Sequence, residues 1–171
     1  MKRIVYLIAF LAIASTDAFA QQILDKNLFK VPASGDDMLK VRVFSDMTSI
    51  EPDGTFRVAF YFDLNQPWYT YTAKDSDSHY PTAIEMLLPN GVVVESVKWP
   101  QSGDDEMLKD DFLVVYTLKA NGQSSDFSIK GSITYQCCNG TICTMKDASF
   151  TVGISVGKKI KSTMFKLLKK R

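Results

Sequence analysis

The chain has 171 residues, of which 46% are hydrophobic, with 20 basic and 19 acidic side chains, one histidine and three cysteines. Between residues 21 and 157 eleven basic residues face eighteen acidic ones, a net charge of −7, which argues against nucleic acid as a partner. A lone histidine, His79, beside a cluster of thiols makes a poor zinc site, so neither a metal nor another cofactor is expected.

Lys2 and Arg3 precede an apolar stretch from Ile4 to Ala14, and Ala18-Phe19-Ala20 supplies a small-x-small cleavage pattern. Residues 1–20 are therefore expected to be a signal peptide; the apolar run is well short of the ~20 residues of a spanning helix. The remaining chain, about 150 residues long, suits one domain with its own core, and residues 21–157 form that domain. From residue 39 onward apolar and polar side chains alternate. Leu39, Val41 and Val43 mark one strand, and Phe56, Val58, Phe60 and Phe62 mark a second after the turn Pro52-Asp53-Gly54. Ile84, Met86 and Leu88 lead through Pro89-Asn90-Gly91 to Val92 and Val94, which predicts a hairpin.

Residues 101–111 break the alternation and read as an acidic exposed loop, with Met107 and Leu108 out of place unless they cover something. Phe112, Val114, Tyr116 and Leu118 form the next strand, closed by Asn121-Gly122. Phe127, Ile129, Ile133 and Tyr135 come next, with Gly131 predicted as a bulge or bend. Phe150, Val152, Ile154 and Val156 make the last strand. Seven or eight short strands separated by turn signals predict an all-β, antiparallel sandwich.

The three cysteines lie within Tyr135-Gln136-Cys137-Cys138-Asn139-Gly140-Thr141-Ile142-Cys143, a strand, a turn and the start of a return strand. A two-residue Asn139-Gly140 loop makes Cys138 and Cys143 diagonal neighbours; a four-residue loop sets them directly opposite. In either register they share a face within reach of a disulfide, and Cys137 points to the other face as a small hydrophobe. A bridge closing so short a loop contributes only ~2 kcal/mol by chain entropy. Spacing alone leaves a structural and a reactive role equally open. In the tail, residues 158–171, Ile160, Met164, Leu167 and Leu168 form one stripe of a short amphipathic helix among lysines. Such a helix could lie on an anionic membrane surface, dock on the acidic body or fray.

Trp68-Tyr69-Thr70-Tyr71, Pro81-Thr82, Leu88-Pro89-Asn90-Gly91, Trp99-Pro100, Tyr116 and Tyr135-Gln136-Cys137-Cys138 with Cys143 occur in a recognisable order. Over residues 39 to 156 the chain resembles the amino-terminal periplasmic domain of DsbD, the bacterial thiol:disulfide interchange protein. The resemblance implies an immunoglobulin-like sandwich, a periplasmic location and a redox pair at Cys138 and Cys143. It also implies a thiol:disulfide oxidoreductase that takes electrons from a membrane electron transporter and reduces exported thioredoxin-like proteins. Asp105, Glu106 and Met107 fall where the family carries a cap loop over its disulfide, with Met107 in place of an aromatic. Tyr69 and Tyr71 match aromatics beside the cysteines, and Tyr135 and Gln136 belong to the matching motif.

Two departures stand out. Thr144-Met145-Lys146-Asp147 replaces a proline-containing segment. The sequence also does not run on into the membrane channel and thioredoxin-like domain of DsbD, so electrons are expected from a separate protein. The competing expectation is a non-catalytic immunoglobulin-like module that binds a protein partner and keeps the bridge as a staple.

Overall fold

The computed structural model describes residues 34–35, 37–72, 80–101, 106–157 and 160–161. The predicted signal peptide and His79 lie outside these residues, as does the predicted tail helix apart from residues 160 and 161. The described strands are β1 (Ser34–Gly35), β2 (Leu39–Ser45), β3 (Met47–Ile50), β4 (Thr55–Leu64), β5 (Thr70–Tyr71) and β6 (Ala83–Leu87). They continue with β7 (Val92–Lys98), β8 (Met107–Leu108), β9 (Phe112–Ala120), β10 (Phe127–Cys138), β11 (Cys143–Val156) and β12 (Ile160–Lys161). One sheet runs β1-β2-β4-β9-β7, the other β12-β3-β11-β10-β6, and β5 pairs with β8. Every pairing is antiparallel except β3 beside β11. Among the described residues no helix is long and apolar enough to cross a membrane.

The predicted alternation fills the space between the sheets. Phe56, Val58, Phe60 and Phe62 of β4 are buried with Val114 and Leu118 of β9, and opposite them lie Ile129, Ile133, Tyr135 and Cys137 of β10 and Phe150, Val152 and Ile154 of β11. Phe60 meets Phe150 edge-on with ring centroids 5.0 Å apart, and Phe62 stacks on its cross-strand partner Phe112 at 4.3 Å. Each such ring removed from water contributes roughly 1.5–3 kcal/mol, so this aromatic row dominates the packing. Asp46 stands at the corner where the chain leaves the first sheet for the second. Its carboxylate accepts from the Arg57 backbone N–H at 2.6 Å and from Nε of the same residue at 3.0 Å. A buried charge is thereby satisfied where two ladders part.

Two expectations from the sequence need correcting. β6 and β7 do not form a hairpin: β6 pairs with β10 and β7 with β9, so residues 88–91 carry the chain from one sheet to the other. The turn itself is present, with Val92 N–H donating to Pro89 C=O at 3.0 Å and Gly91 at φ 81°. Alternation identifies a strand without saying which ladder it joins, and here β9 and β10 each offered an edge along most of their length. Nor is Gly131 a bulge, because the register of β10 passes through it unbroken on both sides. A Cβ there would sit 1.9 Å from the Glu85 carbonyl oxygen and 2.7 Å from the Phe150 ring, so glycine is needed for close approach. β7 does carry an irregularity, a register shift between Val94 and Ser96 that leaves Glu95 out of the ladder. Its valines at 93, 94 and 97 are 44–45% exposed along the edge of the first sheet.

Gly131→Ala should lower the free energy of unfolding by about 1–3 kcal/mol, since β6 or the Phe150 ring must give way. Urea unfolding of the two proteins measures this, and an unchanged midpoint would mean β6 yields freely.

Candidate functional site

β10 and β11 pair from Phe127↔Ile154 to Cys138↔Cys143, and the chain turns through the four residues 139–142. Asn139 shapes that loop: its Oδ1 accepts from the N–H groups of Thr141 and Ile142, both at 3.0 Å, while its own N–H donates to Ile142 C=O at 3.1 Å. Gly140 takes φ 87°, which an L side chain rarely adopts. Of the two registers open from the sequence, this is the one with the cysteines directly opposite. They are joined by a disulfide, with Cα atoms 4.1 Å apart.

Alternation sorts the two faces. Tyr135 and Cys137 point into the core and are buried there, whereas Gln136, Cys138, Cys143 and Met145 share the outward face. Cys143 and Met145 are exposed, as outward residues of a sheet should be. Cys138 is 0% exposed although it faces away from the core. Its concealment comes from another strand. Tyr69 pairs with Cys138 through two backbone bonds, Tyr69 N–H to Cys138 C=O at 2.9 Å and Cys138 N–H to Tyr69 C=O at 3.0 Å. β5 thus continues the edge of β10 beyond β6, and β8 continues it one strand further through Thr70↔Leu108 and Tyr71↔Met107.

The pairings Met107↔Tyr71, Tyr69↔Cys138 and Cys138↔Cys143 put these side chains on one face. The rings of Tyr69 and Tyr71 meet edge-on, centroids 5.8 Å apart. Tyr71 is buried and Met107 half-buried. Leu108 points the other way and enters the core at 6% exposure, which accounts for an apolar pair in an acidic segment. Glu106 holds φ 56°, unusual for a side chain of its size, and its C=O accepts from Thr72 N–H at 3.1 Å. Gln136 Oε1 accepts from Tyr80 N–H at 3.3 Å, beside the cysteines.

Of the residues singled out in the sequence, the fold gathers Cys138, Cys143, Tyr69, Tyr71, Met107 and Gln136 on one face. Tyr135 faces the core instead, and Asp105 lies outside the described residues. Sequence reasoning missed the residues that fasten β8. Asp111 accepts from the N–H of Leu64 at 2.9 Å and from the hydroxyl of Tyr61 at 2.9 Å, and Gln66 Nε2 donates to Lys109 C=O at 2.7 Å. Burial first, and then the bond to Asp111, push the Tyr61 phenol above its ordinary value, so it stays a donor. Contacts spanning about fifty residues leave no local signal. Among the described residues no group of three or more histidine, cysteine, aspartate or glutamate side chains could hold a metal ion.

A face with one exposed and one buried cysteine can exchange its disulfide at the exposed half. The family model described as "Thiol:disulfide interchange protein DsbD, N-terminal" matches residues 36–153. No curated protein matches the sequence. Among solved structures, the N-terminal periplasmic domain of ScsB from Proteus mirabilis is 16% identical with a TM-score of 0.49, over 77% of this chain and 51% of that one. The chain thus spans about half the length of that ScsB chain. The DsbD N-terminal domain of Neisseria meningitidis in the reduced form is 16% identical with a TM-score of 0.31, over 71% and 90%. The yeast GGA1 GAE domain is 14% identical with a TM-score of 0.43, over 75% and 95%. None of these scores reaches 0.5.

In the reduced protein iodoacetamide should modify Cys143 at least about tenfold faster than Cys138 or Cys137, because reactivity needs an accessible thiolate. Peptide mass spectrometry over a time course reads the order. Equal labelling of Cys138 and Cys143 would mean that β5 and β8 do not protect the inner sulfur.

Proposed function

Because the chain belongs to the family of DsbD amino-terminal domains, a thiol:disulfide interchange family, we propose that it carries reducing equivalents between two other proteins through Cys138 and Cys143. The observation that carries this reading is the placement of the disulfide. A structural staple gains most by closing a long loop or lying in a core, and this bridge does neither. It closes a four-residue turn on the outward face, with one sulfur's residue open to solvent and the other's covered.

The exchange follows from that asymmetry. A thiolate of the donor attacks Cys143 Sγ, a mixed disulfide forms, the Cys138–Cys143 bond breaks, and Cys138 leaves as a thiolate that takes up a proton. The donor's second thiolate then attacks its own sulfur in the mixed disulfide and releases Cys143. The donor dithiol is oxidised by two electrons and the pair is reduced; the reverse sequence passes the electrons on. The donor is a membrane thiol:disulfide transporter and the acceptors are exported thioredoxin-like proteins. The domain, residues 21–157, reaches them in the periplasm after residues 1–20 direct export and are removed. Tyr69, Tyr71 and Met107 shield the inner sulfur from water and small thiols, and Asp105 and Glu106 discourage stray thiolate by their charge.

A reduction potential above about −300 mV is expected, because structural bridges in exported proteins lie below that value. Equilibration with dithiothreitol buffers of graded ratio measures it. Alongside it, Cys138→Ser should form a mixed disulfide at Cys143 with an oxidised thioredoxin-like protein. A lower potential and no mixed disulfide would leave the bridge a staple and the domain a binding module.

Met107→Ala should speed reduction of the bridge by dithiothreitol roughly three- to tenfold, the equivalent of the packing of one partly buried side chain. Stopped-flow rates for the two proteins give the comparison. Equal rates would remove Met107 from the shield.

A further inference from the structure

A two-residue strand cannot hold its own place. β8 pairs with β5 only through Thr70↔Leu108 and Tyr71↔Met107. The residues after β8 are fastened firmly. Asp111 lies three residues beyond Leu108, and one carboxylate oxygen accepts from the backbone N–H of Leu64, the last residue of β4. The other accepts from the hydroxyl of Tyr61, which is 0% exposed although it sits on the face of β4 away from Phe60 and Phe62. Arg42 lies over that ring at 5.9 Å and pairs with Asp63 at 3.2 Å, so the carboxylate joins an existing polar cluster on the rigid middle strand of the first sheet. Gln66 adds a bond to Lys109 C=O at 2.7 Å.

We propose that Asp111 is the positioning residue of the cover over the disulfide: it clamps the C-terminal end of β8 to β4 and so holds Met107 in line with Tyr71 and Tyr69. This rests on the reading of β8 as that cover.

Four variants and the wild type are compared by stopped-flow reduction with dithiothreitol, with urea midpoints measured on the same samples. Asp111→Ala should reduce about fivefold faster than wild type, the effect of losing about one hydrogen bond's worth of closure. Asp111→Asn should stay within about twofold of wild type, because its Oδ1 still accepts from Leu64 and its Nδ2 can donate to the phenol oxygen. Met107→Ala combined with Asp111→Ala should be no faster than about twice the faster single variant, since both act through one element. If Met107→Ala itself reacts at the wild-type rate, the cover and the clamp fall together. If Met107→Ala is fast and folded Asp111→Ala is not, the clamp alone is overturned; a merely structural Asp111 would lower the urea midpoint and leave the rate alone. Should Asp111→Ala fail to fold, Tyr61→Phe, which removes one of the two bonds, decides by the same rate criterion.

Discussion

In an antiparallel ladder every second residue turns its amide and carbonyl away from the partner strand. Cys138 is such a residue toward Cys143, because the hydrogen-bonded pair of the hairpin end is the next one out, Asn139 with Ile142. Its polar backbone groups therefore need another strand, and a buried residue cannot leave them empty. Tyr69 supplies both partners. Everything around the disulfide depends on this: the close facing of the two cysteines and the arrival of a third strand beside them are two results of one pairing geometry. β5 in turn offers its far edge to β8, and the disulfide shares one face with the Tyr69–Tyr71 ring pair.

The long pairing of β10 with β11 separates two kinds of demand along a single strand. Inward residues Ile133, Tyr135 and Cys137 answer to the packing of Phe60 and Phe150, where a change of one methylene is felt. Outward residues Gln136, Cys138, Cys143 and Met145 stand outside that packing. The adjacent cysteines illustrate the division, since neighbours in sequence answer to opposite sides of the sheet. The sandwich packing fixes the hairpin and leaves Cys143 exposed at its rim.

Much of this was legible in the residues. The period-two pattern from Leu39 to Val156 announced the strands and their inner faces, and the same alternation by itself separated Cys137 from Cys138. Asn139-Gly140 marked the turn but not its length, because Asn139 can close a four-residue loop with its side chain as readily as a two-residue loop with its backbone. The pairing of β6 with β10 and β7 with β9 stayed hidden, as a pattern of apolar residues carries no address for its ladder. Gly131 was noticed and misread: a missing side chain reports crowding or curvature alike. Leu108 and Met107 were conspicuous in their acidic stretch. Asp111, one acid among several there, had nothing to mark it apart from its place before Phe112, and its partners lie 47 and 50 residues away.

β7 has a different consequence for the molecule. An edge strand with exposed valines on both of its faces is a template to which another β chain could add itself, copy upon copy. The extra residue at Glu95 spoils that template. It offsets the donors and acceptors of the outer edge by one place and twists the strand, so an incoming straight strand could match one half of β7 or the other but not both. It also sets a carboxylate beside the apolar stretch, a charge that a second copy would have to bury against its own. A small irregularity in one ladder thereby makes this edge a poor template for strand addition.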